Sequence, residues 1–206
     1  MAKRGYHHGN LRAALIEAAL ELIEEKGPTG FTLSEAARKA GVTPAAVYRH
    51  FRGREDLIAA IAREGYLIFA EAMEAATARA PSPLAAFEAS GRAYLDFARS
   101  HPGHYMAMFE SGLPINRDPE LARLALAAQA TLERHAEALL SALPPEARPP
   151  ASMVAAHVWA MSHGVVELFA RGSPGTRSPF PPEDLLESGI GIYLRGLGLI
   201  GDDCES

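Results

Sequence analysis

The chain has 206 residues, 48% of them hydrophobic, and a formal net charge of −5, so it is long enough and apolar enough to fold around a core. A single cysteine, Cys204, excludes an internal disulfide framework and fits a reducing, cytoplasmic setting, and no apolar stretch like that of a signal peptide follows the basic residues of Met1–Asn10. Charge is uneven: residues 1–56 hold nine Lys/Arg against seven Asp/Glu, whereas the remainder holds eleven against eighteen, which sets a basic end on an acidic body.

Almost every segment carries the helical period and almost none alternates as a strand does. An all-α fold of about nine helices is expected. Asn10–Lys26 lines up Leu11, Leu15, Ala18, Ala19, Leu22 and Ile23 on one face and stops at Gly27-Pro28. Thr32-Leu-Ser-Glu35 has capping-box spacing and starts a second helix that ends at Gly41. Thr43 is placed to cap a third, with Pro44 at its first position and its end near His50. A long fourth helix runs from Arg54 to about Arg79 and closes at Ala80-Pro81-Ser82-Pro83. Leu84–Ser100, a short turn within His101–Ser111, and the Ala-rich Arg117–Leu143 follow. Beyond the connector PPEARPP come Ala151–Arg171 and Glu183–Leu199, joined by a loop, GSPGTRSPFPP. The stretch 151–170 is apolar but interrupted by His157, His163 and Glu167, which makes it a poor membrane span and a good buried helix. The expected organisation is a three-helix unit over residues 1–56 and a helical bundle over residues 57–206.

The third helix is too short and too polar on one side to be a core helix. Two helices joined by a tight Gly-containing turn and packed on a first helix make a helix-turn-helix. Ala36, Ala37 and Ala40 permit close crossing, and Val42, Val47 and Phe51 have the spacing of core positions. Thr43, Ala45, Ala46, Tyr48, Arg49 and His50 are left to face outward. Small residues at the start of such a helix admit its backbone to a major groove, and hydroxyl, imidazole and guanidinium groups suit phosphate oxygens. The same pattern also fits a plain helical bundle with a surface Tyr and Arg.

The runs LIEAALELIEEKG (15–27), GFTLSEAARKAGVTPAAVYRHF (30–51) and REDLIAAI (54–61) resemble the DNA-binding domain of the TetR family of bacterial transcriptional regulators. The resemblance covers about a quarter of the chain. It implies a homodimer with N-terminal reading heads, and a C-terminal domain that binds a small molecule and releases a pseudo-palindromic operator in double-stranded DNA. By position, Thr32 and Thr43 would contact phosphate or bases, and Pro44, Ala45 and Ala46 would lie against bases. Tyr48, His50 and Arg54, and also Arg12, would meet phosphates, with Arg52 less clearly placed. With no long side chain at Ala45 or Ala46, Arg49, Tyr48 and DNA shape are left to supply part of the specificity.

One short recognition helix binds weakly, so a second copy is required, with heads about 34–36 Å apart. The last two helices, 151–171 and 183–199, are the expected dimer interface. The first is apolar over most of its circumference, and the second carries Gly189, Gly191, Gly196 and Gly198, helix-interior glycines whose cost of up to about 1 kcal/mol each close helix approach would offset. The C-terminal region also resembles a TetR subgroup with a Trp and a His-Gly pair in its eighth helix, here Trp159 and His163-Gly164. Trp159 and His163 share a helix face and, with Tyr94, Phe97, Tyr105, Met106, Met108, Phe109, Met161 and Phe169, are candidates to line a pocket for a mostly apolar effector. The same residues at helical spacing equally fit a filled core. His101-Pro-Gly-His104 lacks close companion ligands, so no metal is expected. No nucleophile elbow, P-loop or dinucleotide fingerprint is present, so neither catalysis nor a cofactor is expected. A DNA-binding protein of this fold without a small-molecule effector is the alternative reading.

Overall fold

The computed structural model describes residues 11–171 and 178–201. The basic N-terminal residues Lys3, Arg4, His7 and His8, most of the loop before the last helix, and Cys204 lie outside the described residues. Among those described there is no strand. Nine α-helices follow in order: α1 Leu11–Lys26, α2 Leu33–Lys39, α3 Pro44–Val47, α4 Arg54–Thr77, α5 Pro83–Ser100, α6 Pro102–Phe109, α7 Pro119–Leu140, α8 Ala151–Val165 and α9 Pro182–Gly196.

Several boundaries differ from expectation for reasons of local chemistry. Pro83 does not close α4 but starts α5, and α7 starts at Pro119 rather than Arg117; both prolines occupy first positions, where no N–H is needed. Ser82 Oγ accepts from the Ala85 N–H, and Asp118 Oδ1 accepts from the N–H groups of Glu120 and Leu121. α3 stops at Val47 rather than His50, and the chain continues in tighter turns, the His50 N–H donating to the Val47 carbonyl at 2.9 Å. α8 passes at Val166 into a π-helical turn, Val166–Ala170. Gly198 is not helix-interior: it has φ +74 just beyond α9, and the Leu199 N–H reaches back to the Leu194 carbonyl at 3.0 Å, closing the helix.

The chain divides into two compact units. The first holds residues up to Leu67 together with His101–Leu124. Its centre is the buried face of α1, Leu15, Ala19, Leu22 and Ile23, met by Phe31, Leu33, Ala36 and Ala37 and by Val47, Phe51, Leu57 and Ile61. α6 packs against both α1 and α4 through glycine contacts. A Cβ on Gly103 would lie 2.9 Å from the Leu20 side chain and 3.3 Å from the Leu20 carbonyl oxygen, and one on Gly65 would meet the Met108 sulfur at 2.6 Å. The Gly103 N–H donates to Glu24 Oε1 at 3.2 Å, so a carboxylate from α1 satisfies the exposed amide end of α6. Arg63 of α4 is ion-paired to Asp118, which ties α4 to the start of α7. His104 sits crosswise to His101, with ring centroids 5.8 Å apart. No group of three or more candidate metal ligands occurs among the described residues.

The second unit holds Ile68–Ser100 and the chain from Ala125 onward. α5 is its axis: Phe87, Ser90, Tyr94, Leu95 and Phe97 are buried, and Phe69 of α4 packs edge-on to the rings of Tyr94 and Phe97, with centroids 5.6 and 5.2 Å away. α9 approaches α5 closely at Gly91, where a Cβ would touch Ile190 and Leu186 at 3.4 Å.

Two predictions follow from the first unit's packing. Gly103→Ala should lower the free energy of unfolding by about 1–3 kcal/mol in urea, because Leu20 backbone cannot yield to a new methyl. Gly53→Ala, whose Cβ would meet nothing within 4 Å, should lie near zero, and equal losses would contradict the packing. Burial, and then the charge of His101, push the His104 pKa from 6.5 down to about 4. Its neutral form is favoured in the folded state, so the unfolded chain binds more protons below pH ~6.5. Stability should therefore fall as pH drops from ~6.5 towards ~4, and His104→Gln should flatten the urea midpoint across that window.

Candidate nucleic-acid interface

The residues expected to read DNA are brought together around α3. Val47, the last residue of α3, is fully buried and Phe51, four residues further on, is 3% exposed, which pins the C-terminal end of the short helix to the core. Thr43, Pro44, Ala45, Tyr48, Arg49 and His50 are exposed, Ala46 is half-buried, and Tyr48 stands out at 61% exposure. Thr43 does not cap α3 with its side chain. The helix is a single turn, and the amide its hydroxyl would have served, that of Ala46, is taken by the Thr43 carbonyl at 2.9 Å. The hydroxyl is thereby left out of the cap.

α2 has the capping box expected of it. The Glu35 N–H donates to the Thr32 hydroxyl oxygen at 3.2 Å, and the Thr32 N–H and hydroxyl donate to Glu35 Oε2 at 2.9 and 3.0 Å. Lys26 Nζ adds a bond to Glu35 Oε1 at 2.7 Å. The hydrogen bond from Lys26, then those from the Thr32 backbone and hydroxyl, hold the Glu35 carboxyl down to about 2.

Much of the local positive charge is already committed. Lys39 Nζ lies 2.8 Å from both Glu21 and Glu25. The Arg12 guanidinium lies 3.3 Å from Glu64 and 5.7 Å above the Phe51 ring. Arg54, half-buried at the start of α4, donates from Nη1 to the Thr29 carbonyl at 2.8 Å and lies 3.5 Å from the Phe31 carbonyl. Arg38, Arg49 and Arg52 are exposed.

The residues expected to line a pocket fall into separate groups. Tyr105 (fully buried), Met106 and Phe109 belong to the first unit, where Phe109 packs at 4.9 Å on Tyr105 and at 6.2 Å on Tyr66. Tyr94, Phe97, Trp159 and His163 belong to the second, where the Tyr94 hydroxyl and His163 Nδ1 lie 3.0 Å apart. Trp159 is 42% exposed, on a helix that also exposes Met153 and Leu168. A second hydroxyl–imidazole pair, Ser90 Oγ with His135 Nδ1 at 3.1 Å, escaped the sequence reading. Ser90 and Tyr94 are four apart in α5, and that spacing is the signal that could have found it.

The geometry defines a helix-turn-helix protein with a helical C-terminal body. The family profile described as "Bacterial regulatory proteins, tetR family" matches residues 15–61, and "Tetracyclin repressor-like, C-terminal domain" matches residues 87–193. The second match spans more than half of the chain, and the chain belongs to the TetR family. Among similar proteins is the uncharacterized HTH-type transcriptional regulator YobS of Bacillus subtilis, 29% identical over 48% of this chain and 51% of its own length. The chain thus spans about half the length of that relative. A solved protein of unknown function from Rhodococcus sp. RHA1 is 29% identical, with a TM-score of 0.78 over 94% of this chain and 98% of its own. AibR, solved in complex with isovaleryl coenzyme A and operator DNA, shares the fold at 19% identity and a TM-score of 0.67, over 88% of this chain and 97% of its own.

Removing the Thr32 hydroxyl by Thr32→Val breaks the half of the capping box in which it accepts from the Glu35 N–H and leaves the Thr32 N–H bond to Glu35 Oε2 in place. It should cost about 1 kcal/mol in urea unfolding, whereas Ser34→Ala, two residues along and exposed, should cost less than about 0.5 kcal/mol. Equal effects would contradict the cap.

Proposed function

We propose that this chain is a cytoplasmic, ligand-responsive DNA-binding regulator, a repressor that holds a pseudo-palindromic operator as a homodimer. The observation that carries the reading is the exposed, core-anchored α3, with Tyr48, Arg49 and His50 outward on a helix whose only fully buried side chain is Val47. Thr43, Pro44, Ala45 and Ala46 enter the major groove, and Tyr48 and His50 meet phosphates.

Support for the dimer comes from α8 and α9. The stretch Ala151–Ala170 is long and apolar enough to cross a membrane by length and composition, yet only 28% of it is buried within the single chain. Met153, Trp159, Leu168 and Ile192 are between 42% and 63% exposed. Gly189 and Gly196 have no close neighbour among the described residues: a Cβ would meet only Met161 at 3.9 Å at the former and nothing at the latter. An exposed apolar face with small residues fits a second copy, and two reading heads are what an operator requires.

Support for an effector comes from the second unit, which holds the packed rings of Phe69, Tyr94 and Phe97 and two hydroxyl–imidazole pairs, Tyr94–His163 and Ser90–His135. Such an interior suits a small, mostly apolar molecule with one polar end. Effector binding would shift α4, the helix that runs in sequence from the first unit into the second, and change the spacing of the heads. Release then follows only if the effector prefers the spacing that does not fit DNA. The reading without an effector is favoured by one observation: Tyr94 and Phe97 are 5% and 2% exposed, as in a filled core.

Tyr48→Ala tests the assignment. With an operator duplex obtained by selection, its affinity should fall by more than tenfold at moderate salt while circular dichroism and melting stay as in wild type. Unchanged affinity would remove α3 from the interface.

A further inference from the structure

Five arginines lie in the described part of the first three helices and their flanks, and the structure separates them into two kinds. Arg12 is ion-paired to Glu64 and lies over Phe51. Arg54 is bound through Nη1 to the carbonyl of Thr29, in the turn between α1 and α2, and its Nε is buried without a partner. Both guanidiniums are therefore engaged within the protein. Arg38, Arg49 and Arg52, by contrast, are exposed and make no ion pair or side-chain hydrogen bond among the described residues. Arg38 is four residues after Ser34, also exposed, so the two share one face of α2 at the end that leads into the turn before α3. Arg49 and Arg52 follow α3 directly. A free cation releases DNA counterions at no internal cost, whereas a cation already paired must first give up its partner.

We propose that the phosphate clamp of this protein is formed by Arg38, Arg49 and Arg52, and that Arg54 and Arg12 are positioning residues that set the attitude of the reading head. Arg54 is the key case. Its Nη1 joins the first turn of α4 to the Thr29 and Phe31 carbonyls that lead into α2, and so fixes the angle at which α2 and α3 are presented. A lysine at this position could hold a phosphate as a point charge, but its ammonium ends one bond short of where Nη1 sits and lacks the fixed plane of the guanidinium. The buried Nε marks the cost of the arrangement: the side chain keeps its place although one donor finds no acceptor. The proposal rests on the DNA-binding reading above.

The test is the salt dependence of operator binding by fluorescence anisotropy for wild type, Arg38→Ala, Arg52→Ala, Arg54→Ala and Arg54→Lys, with folding checked by circular dichroism. Each phosphate contact contributes about 0.9 to the slope of log affinity against log salt, so losing one from each of two heads should lower the slope by about 2. Arg38→Ala and Arg52→Ala should each show that fall. Arg54→Ala should bind at least tenfold more weakly with the slope unchanged, and Arg54→Lys should not restore affinity. A slope lowered by Arg54→Ala, affinity restored by Arg54→Lys, or slopes untouched by Arg38→Ala and Arg52→Ala would each overturn the proposal. Failure of the wild type itself to show salt-dependent binding would instead defeat the DNA-binding reading.

Discussion

The outward face of this protein depends on two inward side chains. A four-residue helix cannot sustain itself, because the cost of nucleation exceeds what one turn of hydrogen bonds returns. α3 persists because Val47, wholly buried, and Phe51, 3% exposed, are anchored in the core of the first unit and α2 packs against the helix. Every exposed group around it, from Thr43 to His50, inherits its position from that anchorage. Removing the anchor would leave the same polar residues on a mobile loop, where each contact with DNA would first have to overcome the entropy of ordering the chain.

The surroundings of α3 reinforce the same attitude by different means. The capping box at Thr32 and Glu35 fixes where α2 begins, and Gly41, at φ +71, turns the chain towards α3 without strain. Arg54 ties the first turn of α4 to the turn before α2. From behind, α6 lies against α1, where Gly103 admits the Leu20 backbone and Glu24 receives the Gly103 amide. Few of these contacts are large alone. Together they make the single turn of α3 part of a unit that includes residues distant in sequence.

Much of this was legible in the sequence where one local rule governed. The all-α class came from period alone. The capping box and the buried set Leu15, Ala18, Ala19, Leu22 and Ile23 came from spacing. Local rules failed where two of them competed. Ser82-Pro83 reads as a break because proline ends helices, yet the Ser82 side chain makes that proline a helix start. The internal bond of Arg54 was hidden because nothing in the sequence places the Thr29 carbonyl beside a cation 25 residues further on. The place of α6 was not legible at all: Gly103 and Glu24 are 79 residues apart, and no periodicity reports a contact of that range. Pocket candidates were the least legible, because buried aromatics serve a core and a cavity with the same residue types.

Selection of bound duplexes from a random pool by the full chain is the most direct measure of whether α3 is held out in duplicate to read DNA. The account predicts an inverted repeat whose half-sites are centred about one helical turn, or a whole number of turns, apart on one face of the duplex. Recovery of a single unrepeated site, or of no sequence preference even at low ionic strength, would contradict it.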